Sequence, residues 1–202
     1  MGTFILRIVV GLLFVGHGLQ KLTHRFGGGG IENTEKTMDA LGMHPAKLQA
    51  RTAALAETAG GAALALGAAT PLASAGLIAT MATAVRKVHA QNGIWNTKGG
   101  YEFNLVMAAS ALLLAERPGK ASVDALFGRS KWGAGWAVFA LVAGVIGSTL
   151  AIEAGRRLAP ERAADEQSTG QKSTDEQSTD VGTGDSSSTA STDEGTPSTS
   201  GA

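Results

Sequence analysis

Hydrophobic residues are concentrated in five stretches of the chain, and polar segments separate these stretches. They cover residues 3–22, 50–70, 72–88, 101–115 and 133–152. An α-helix rises about 1.5 Å per residue, so roughly 20 apolar residues cross the ~30 Å hydrocarbon core of a bilayer. The pattern predicts five transmembrane helices, of which the fourth is short for a full crossing.

Two local signals refine this arrangement. After the glycine run at residues 27–30, apolar residues recur every three or four positions, which predicts a short surface helix over residues 31–41. Pro71 separates the second stretch from the third. Because the residue before a proline is pushed away from helical geometry, the chain is predicted to turn there into an antiparallel hairpin.

The end of the chain, residues 159–202, has a different composition. It consists mainly of Ser, Thr, Asp, Glu, Gly and Gln, and the run Asp-Glu-Gln-Ser-Thr occurs in it twice. Such a segment cannot bury enough apolar surface to offset the entropy lost on ordering. We therefore predict a four-helix membrane bundle over residues 1–127, an additional transmembrane helix within residues 128–158, and a disordered tail.

Charge and cysteine content exclude several classes of protein. The 17 basic and 17 acidic residues balance, so no field of one sign favours nucleic acid as a partner. The absence of cysteine excludes disulfides, thiolate catalysis and cysteine-ligated clusters. The N-terminus lacks the basic region and the cleavage site of a secretory signal, so the first stretch is expected to stay in the mature protein. These features predict an all-α, multi-pass integral protein of the plasma membrane.

Ionisable residues within or beside membrane helices are costly, so their positions are informative. If the helices alternate in direction, one membrane face brings together polar residues from four of them. We interpret His17, Glu57 and Glu102 as proton-exchanging catalytic candidates, and the substrate-binding candidates are Lys21, Arg86, His89, Tyr101 and Asn104. Glu57 is expected inside its helix and therefore needs a partner, for which the candidates are Lys21, Arg86 and His17. The alternative to a functional site is that these charges only extend to the interface and satisfy each other.

Histidines also suggest a haem or a metal ion, because His17 and His89 are expected at the same face. Neither His-x-x-x-His nor Glu-x-x-His spacing occurs in the sequence, and a lone helical histidine is commonly a packing residue. We therefore predict no metal site.

Three segments resemble the DoxX family of small bacterial and archaeal membrane proteins. They are LRIVVGLLFVGHGLQKL at residues 6–22, ETAGG at residues 57–61 and GGYEFN at residues 99–104. The likeness extends over residues 3–127. It implies a four-helix membrane bundle, from which the fifth helix and the tail depart. It also implies an association with redox chemistry, because relatives include a subunit of a thiosulfate:quinone oxidoreductase and a partner in a membrane-associated redox or detoxification complex.

The resemblance leads to the hypothesis of a membrane subunit for quinone-linked electron transfer or oxidative-stress defence. A quinone is then the expected ligand, no covalently bound cofactor is expected, and a soluble or membrane oxidoreductase is the expected partner besides the lipid bilayer. A histidine and a carboxylate would supply protons, while Lys21 or Arg86 would stabilise the developing oxyanion. The alternative is a non-catalytic scaffold or small-solute transporter, for instance a homo-oligomer. The residues leave open whether the chain is itself an enzyme.

Overall fold

The computed structural model describes residues 1–159, and the regular structure in this range is entirely helical. The predicted tail lies outside the described residues, apart from its first residue. The α-helices are α1 (Gly2–Leu22), α2 (Gly30–Ala40), α3 (Ala46–Leu66), α4 (Thr70–Ala84), α5 (Glu102–Glu116), α6 (Val123–Leu126) and α7 (Ala134–Arg157). A π-helical turn (Val85–His89) and two 3₁₀ turns (Ala90–Asn92 and Asn96–Lys98) connect α4 to α5.

Two helices in residues 1–159, α1 and α7, are long and apolar enough to cross a membrane by length and composition. Helices α3 and α4 overlap with the second and third predicted crossings, with boundaries that differ by up to four residues, and α5 matches the fourth to within one residue. However, α4 and α5 contain 15 residues each, which span only about 22 Å. The all-α fold is confirmed, and five membrane crossings remain a prediction.

Helices α1, α3, α4 and α5 surround a common apolar core. Helix α1 packs chiefly on α3, while α4 packs on α3, α5 and α7. Phe14, Leu64, Leu77 and Leu114 from the four helices are completely buried in this core. Helix α7 lies along the outside of α4, and much of its apolar surface is exposed. Exposed apolar faces of this kind are what a helix bundle presents to lipid.

The turn between α3 and α4 lies a few residues before the position predicted for the hairpin. Gly67 adopts a left-handed φ of 67° and ends α3 after Leu66, so the helix stops before its predicted end at residue 70. Helix α4 then begins at Thr70, with Pro71 in its first turn. A proline fits there because the first turn of a helix does not use its backbone N–H groups. Pro71 therefore belongs to the first turn of α4, and residues 67–69 form the turn between the two helices.

Arg7 closes the end of the bundle at which α1 begins. The side chain is buried, and its Nε donates a hydrogen bond to the Ala65 carbonyl at 3.0 Å. Its Nη1 donates to the Pro118 carbonyl at 2.7 Å, and its Nη2 donates to the Ala121 carbonyl. These acceptors belong to the last turns of α3 and to the loop after α5. One guanidinium thus joins three parts of the chain.

Asp124, in the short helix α6 that the sequence pattern did not predict, anchors the start of α4 in a similar way. Its carboxylate accepts hydrogen bonds from the backbone N–H groups of Ala69 (2.8 Å) and Thr70 (3.0 Å), the Thr70 hydroxyl (2.6 Å) and the Trp132 indole N–H (2.9 Å). Burial raises the pKa of the Asp124 carboxyl, but these hydrogen bonds together lower it by more, so the pKa lies below its ordinary value. Asp124 is therefore an anion at the N-terminus of α4, where the helix dipole favours one.

We expect Arg7→Ala to lower the free energy of unfolding by about 2–5 kcal/mol, because it removes the donor from three carbonyls, two of them in buried contacts, and opens a cavity. Arg7→Lys should recover only part of this loss, since an ammonium lacks the planar fork that reaches several acceptors. Thermal unfolding of detergent-purified protein, followed by circular dichroism, measures the difference. Arg117→Ala is the control, because Arg117 is exposed and pairs with its neighbour Glu116. Similar melting temperatures for Arg7→Ala and Arg117→Ala would contradict the role given to Arg7.

Candidate functional site

A cavity of about 610 Å³ lies toward the other end of the bundle, where α1 ends. Helices α1 to α5 and α7 all contribute residues to its lining. Five of the eight candidate residues line it, namely His17, Lys21, Glu57, His89 and Asn104. The expected convergence of polar groups is therefore present for these five, although their roles in chemistry remain predictions.

Glu57 is the buried acid of the cavity. Its side chain is 4% exposed, and its carboxylate accepts a hydrogen bond from Nζ of Lys21, whose side chain is 30% exposed. A buried carboxylate requires such a partner, because removal from water penalises an isolated charge. Of the three partners considered for Glu57, the structure pairs it with Lys21.

Close contact between α1 and α3 makes this ion pair possible. A Cβ atom at Gly18 would lie 2.6 Å from the amide nitrogen of Thr58, and one at Gly11 would lie 2.6 Å from that of Ala65. Distances this short leave no room for a side chain, so the two backbones touch at both glycines. Lys21 follows Gly18 by three residues, about one helical turn, and is thereby placed beside Glu57.

Asn104 has a buried carboxamide without a strong partner in residues 1–159. The residue is 6% exposed, and its Nδ2 lies 3.5 Å from the sulfur of Met81. A thioether is only a weak acceptor, and an amide buried without adequate hydrogen bonds costs about 1–3 kcal/mol. Because Asn104 lines the cavity, its donors and its carbonyl are available to a ligand there.

The two histidines of the cavity have different surroundings. The ring of His17 packs against that of Phe103, with 5.3 Å between ring centroids. In His89, at the end of the π-helical turn, Nδ1 lies 2.7 Å from the carbonyl oxygen of Gly99. A carbonyl only accepts, so Nδ1 of His89 carries the proton and Nε2 is left for another contact. Within residues 1–159, no group of three or more potential metal ligands occurs.

The other three candidates do not line the cavity. Glu102 is exposed, and its carboxylate accepts a hydrogen bond from the backbone N–H of Asn96 at 3.1 Å. Arg86 donates to the hydroxyl of Thr149 at 3.0 Å and so joins the π-helical turn to α7. Tyr101 precedes the first residue of α5 as its N-cap. All three residues therefore make local contacts within the structure, and their roles in catalysis and binding stay predictions.

Sequence reasoning missed several residues that complete the cavity. Lys87 adds a second lysine to the lining, and it forms no ion pair in the described part of the chain. Helix α2 contributes Thr37 and Met38, with Leu41 directly after it. The helical spacing of Met38 and Leu41 predicted a surface helix. The same spacing also indicated that one face of this helix is apolar and packs against another part of the protein. That face borders the cavity.

One family model matches the part of the chain that supplies most of the candidate residues in the cavity. The DoxX family model matches residues 2–90, a segment that contains α1 to α4, the π-helical turn and the cavity residues His17, Lys21, Glu57 and His89. The third resembling segment, at residues 99–104, lies beyond this match, as does Asn104. No curated protein and no solved structure matches the chain. The match over residues 2–90 supports the resemblance of this part of the chain to the DoxX family, whose proteins are associated with membranes.

Proposed function

We propose that this chain is a membrane subunit that binds a quinone headgroup in the cavity and delivers protons for its reduction. The observation that supports this most is the arrangement of an ion-paired buried carboxylate, two histidines and a weakly bonded amide around one space. The volume of about 610 Å³ lies within the roughly 300–1,000 Å³ typical of small-molecule sites.

The chemistry of a quinone fits these residue types. Its two carbonyl oxygens accept hydrogen bonds, which the amide of Asn104 and the ammonium of Lys21 can donate. Reduction to the quinol adds two electrons and two protons, with one proton going to each oxygen. In our proposal His17 and Glu57 carry these protons to the ligand, and Lys21 stabilises the negative charge that develops on the oxygen.

The electrons come, in this proposal, from an oxidoreductase partner. The chain contains no cysteine, so it builds no thiolate-ligated redox centre from its own side chains. Electron delivery by a partner protein makes this chain the quinone-binding subunit of a redox complex. Such a complex at the plasma membrane would serve electron transfer or oxidative-stress defence.

A second candidate function is a non-catalytic scaffold, and the Lys21–Glu57 ion pair favours it. Each of these two charges satisfies the other, and the pair joins α1 to α3 without any ligand. The two functions differ in what they require of Asn104 and Glu57. A scaffold needs neither a hydrogen-bond donor in the cavity nor a group that exchanges protons.

We further propose that α1, α3, α4, α5 and α7 all cross the membrane, with α2 and α6 at opposite faces. Arg7 and Lys21 are 14 residues apart on α1, which corresponds to about 21 Å along the helix. The contacts of Arg7 with Pro118 and of Lys21 with Glu57 therefore lie near opposite ends of the bundle. This separation is consistent with two polar ends on either side of a hydrocarbon layer.

The absence of native cysteine allows a direct test of these five crossings. Single Lys36→Cys and Lys120→Cys variants place one thiol each at exposed positions in α2 and in the loop after α5. Five crossings put the two thiols on opposite sides, so a membrane-impermeant maleimide should label one in intact cells and the other only after permeabilisation. If α1 and α7 alone cross the membrane, both thiols lie on one side and label together. Equal labelling of the two variants would thus refute the five-crossing topology.

We expect Asn104→Leu to weaken quinone binding by about tenfold or more while leaving stability unchanged or higher. The substitution removes a buried amide that has only a sulfur contact, so the fold loses little. A bound carbonyl, in contrast, loses its donor. Equilibrium titration of the purified protein with menadione measures the binding. Asn33→Leu, at an exposed position on α2, is the matched control, and undiminished affinity in Asn104→Leu would remove Asn104 from the site.

The double variant Lys21→Met with Glu57→Leu separates proton delivery from a scaffold role. Replacing both charges with apolar groups leaves no lone buried charge, so the protein should stay folded, with a melting temperature close to that of the wild type. We expect quinone reduction in isolated membranes to fall by about 100-fold, as for the loss of a proton-transferring group. Single Glu57→Ala should destabilise the bundle, because it leaves a cavity and an unpaired lysine. Full quinone reduction by the double variant would favour the scaffold.

A further inference from the structure

The cavity continues from its polar residues into a groove lined by very small side chains. Three helices supply these residues: Ala53 and Ala56 from α3, Gly76 and Ala79 from α4, and Gly147 and Ala151 from α7. None of them carries a side chain larger than a methyl group. This small-residue groove has no side-chain hydrogen-bonding group at these six positions.

The groove lies where α3 and α7 are both packed on α4 but scarcely contact each other. One hydrogen bond joins them near the polar end, from Nε2 of Gln49 to the carbonyl of Ala151 at 3.1 Å. On the outer surfaces of the same helices, Leu55 is 57% exposed and Ile146 is 52% exposed. If these helices cross a membrane, the gap between α3 and α7 opens toward lipid.

Gly76 shows that this groove has free space. A Cβ atom built at Gly76 would have no heavy atom within 4 Å, whereas one at Gly147 would lie 3.4 Å from the Cβ of Ala79. Helices α4 and α7 are thus in ordinary contact at Gly147, and the space beside Gly76 is open. A slender apolar chain fits this shape, because it gains van der Waals contacts with the closely spaced walls.

We propose that the cavity takes an amphiphile that enters from the bilayer between α3 and α7 and lays its apolar chain in the small-residue groove. The headgroup then reaches Lys21, Glu57 and Asn104 at the polar end. This inference rests on the proposed quinone site for the identity of the headgroup and adds the chain and the entry route.

A compact polar solute gains little from this groove, because its six small residues offer no side-chain hydrogen bond. The hydroxyls of Thr80 and Thr83, which line the same cavity, already donate to the carbonyls of Leu77 and Ala79. The shape therefore favours a tailed ligand over a small soluble one.

The test compares two naphthoquinones in the full-length wild type and in Gly76→Leu. Menadione carries no chain, and a menaquinone with a short isoprenoid chain has the same headgroup. The introduced side chain would fill the open space of the groove, and the variant should fold, because leucine is a better helix former than glycine. Gly16→Leu is the control, since Gly16 is also a helical glycine with no heavy atom within 4 Å of a built Cβ, and it does not line the cavity.

We expect Gly76→Leu to bind the isoprenoid quinone roughly tenfold more weakly than the wild type, with menadione affinity changed by less than about twofold. Gly16→Leu should bind both probes as the wild type does. Unchanged affinity of Gly76→Leu for the isoprenoid quinone, or an equal loss for both probes, would overturn the chain-binding groove and leave the headgroup site standing.

A separate measurement distinguishes failure of the quinone proposal from failure of the groove. If the wild type binds neither quinone, native mass spectrometry of the purified protein reports any phospholipid that stays bound. Phospholipid retained by the wild type and by Gly16→Leu but lost from Gly76→Leu would support the groove and refute the quinone headgroup. Equal phospholipid retention by all three proteins would overturn the groove as well.

Discussion

A buried guanidinium in an apolar bundle needs several acceptors at once, and much of this structure depends on how the chain supplies them to Arg7. The acceptors are one carbonyl at the end of α3 and two in the loop after α5. Carbonyls at the end of a helix have no partner within the helix, so they are free to accept hydrogen bonds from a side chain. Arg7 and the ends of the helices therefore satisfy each other. These contacts close one end of the bundle, and the cavity with its ion pair lies toward the other end.

The position of Arg7 also sets the position of the candidate site. Arg7 and Lys21 are 14 residues apart, close to four turns of about 3.6 residues, so both lie on the same side of α1. Between them, Gly11 and Gly18 let the backbone of α3 approach closely. Once Arg7 is fixed against Ala65, this contact leaves Lys21 beside Glu57. The contacts of Arg7 and of Lys21 with α3 therefore depend on the same packing of α1 on α3, and a shift of α1 along α3 would disturb both.

The long apolar helices could be predicted from the sequence because each has a strong pattern. The stretch at residues 3–22 closely matches α1, and the stretch at residues 133–152 matches α7 except for the last five residues of this helix. Helical periodicity also places Arg7, Phe14 and Lys21 on one side of α1. A very short helix and the end of a longer one could not be predicted in this way. Helix α6 has four residues, too few for a periodic signal, so the role of Asp124 could not be predicted. The end of α3 was misplaced because the proline was a stronger signal than the left-handed Gly67.

The candidate site shows the same division between helix interiors and helix ends. His17 and Glu57 lie inside helices and Lys21 lies in the last turn of α1, where periodicity still fixes which side a residue occupies, and all three line the cavity. Arg86, Tyr101 and Glu102 lie at the π-helical turn or at the start of α5, where loop geometry decides the direction of a side chain. His89, at the end of the same turn, lines the cavity, whereas these three residues do not. Arg86 contacts α7, and Glu102 binds the loop at Asn96. Position along the chain was enough to place these residues at the same end of the bundle but not in the cavity.

The polar residues of the cavity are not what stability alone would favour. An apolar side chain in place of Asn104 would fill the same space without a buried amide, and a pair of apolar residues would replace Lys21 and Glu57 without the cost of desolvating two charges. A bundle selected for stability alone has no need of these groups, and it has no need of open space beside Gly76. A ligand with a hydrogen-bonding headgroup and a slender apolar chain uses all of them together. This is the physical reason to regard the polar residues and the small-residue groove as parts of one binding site.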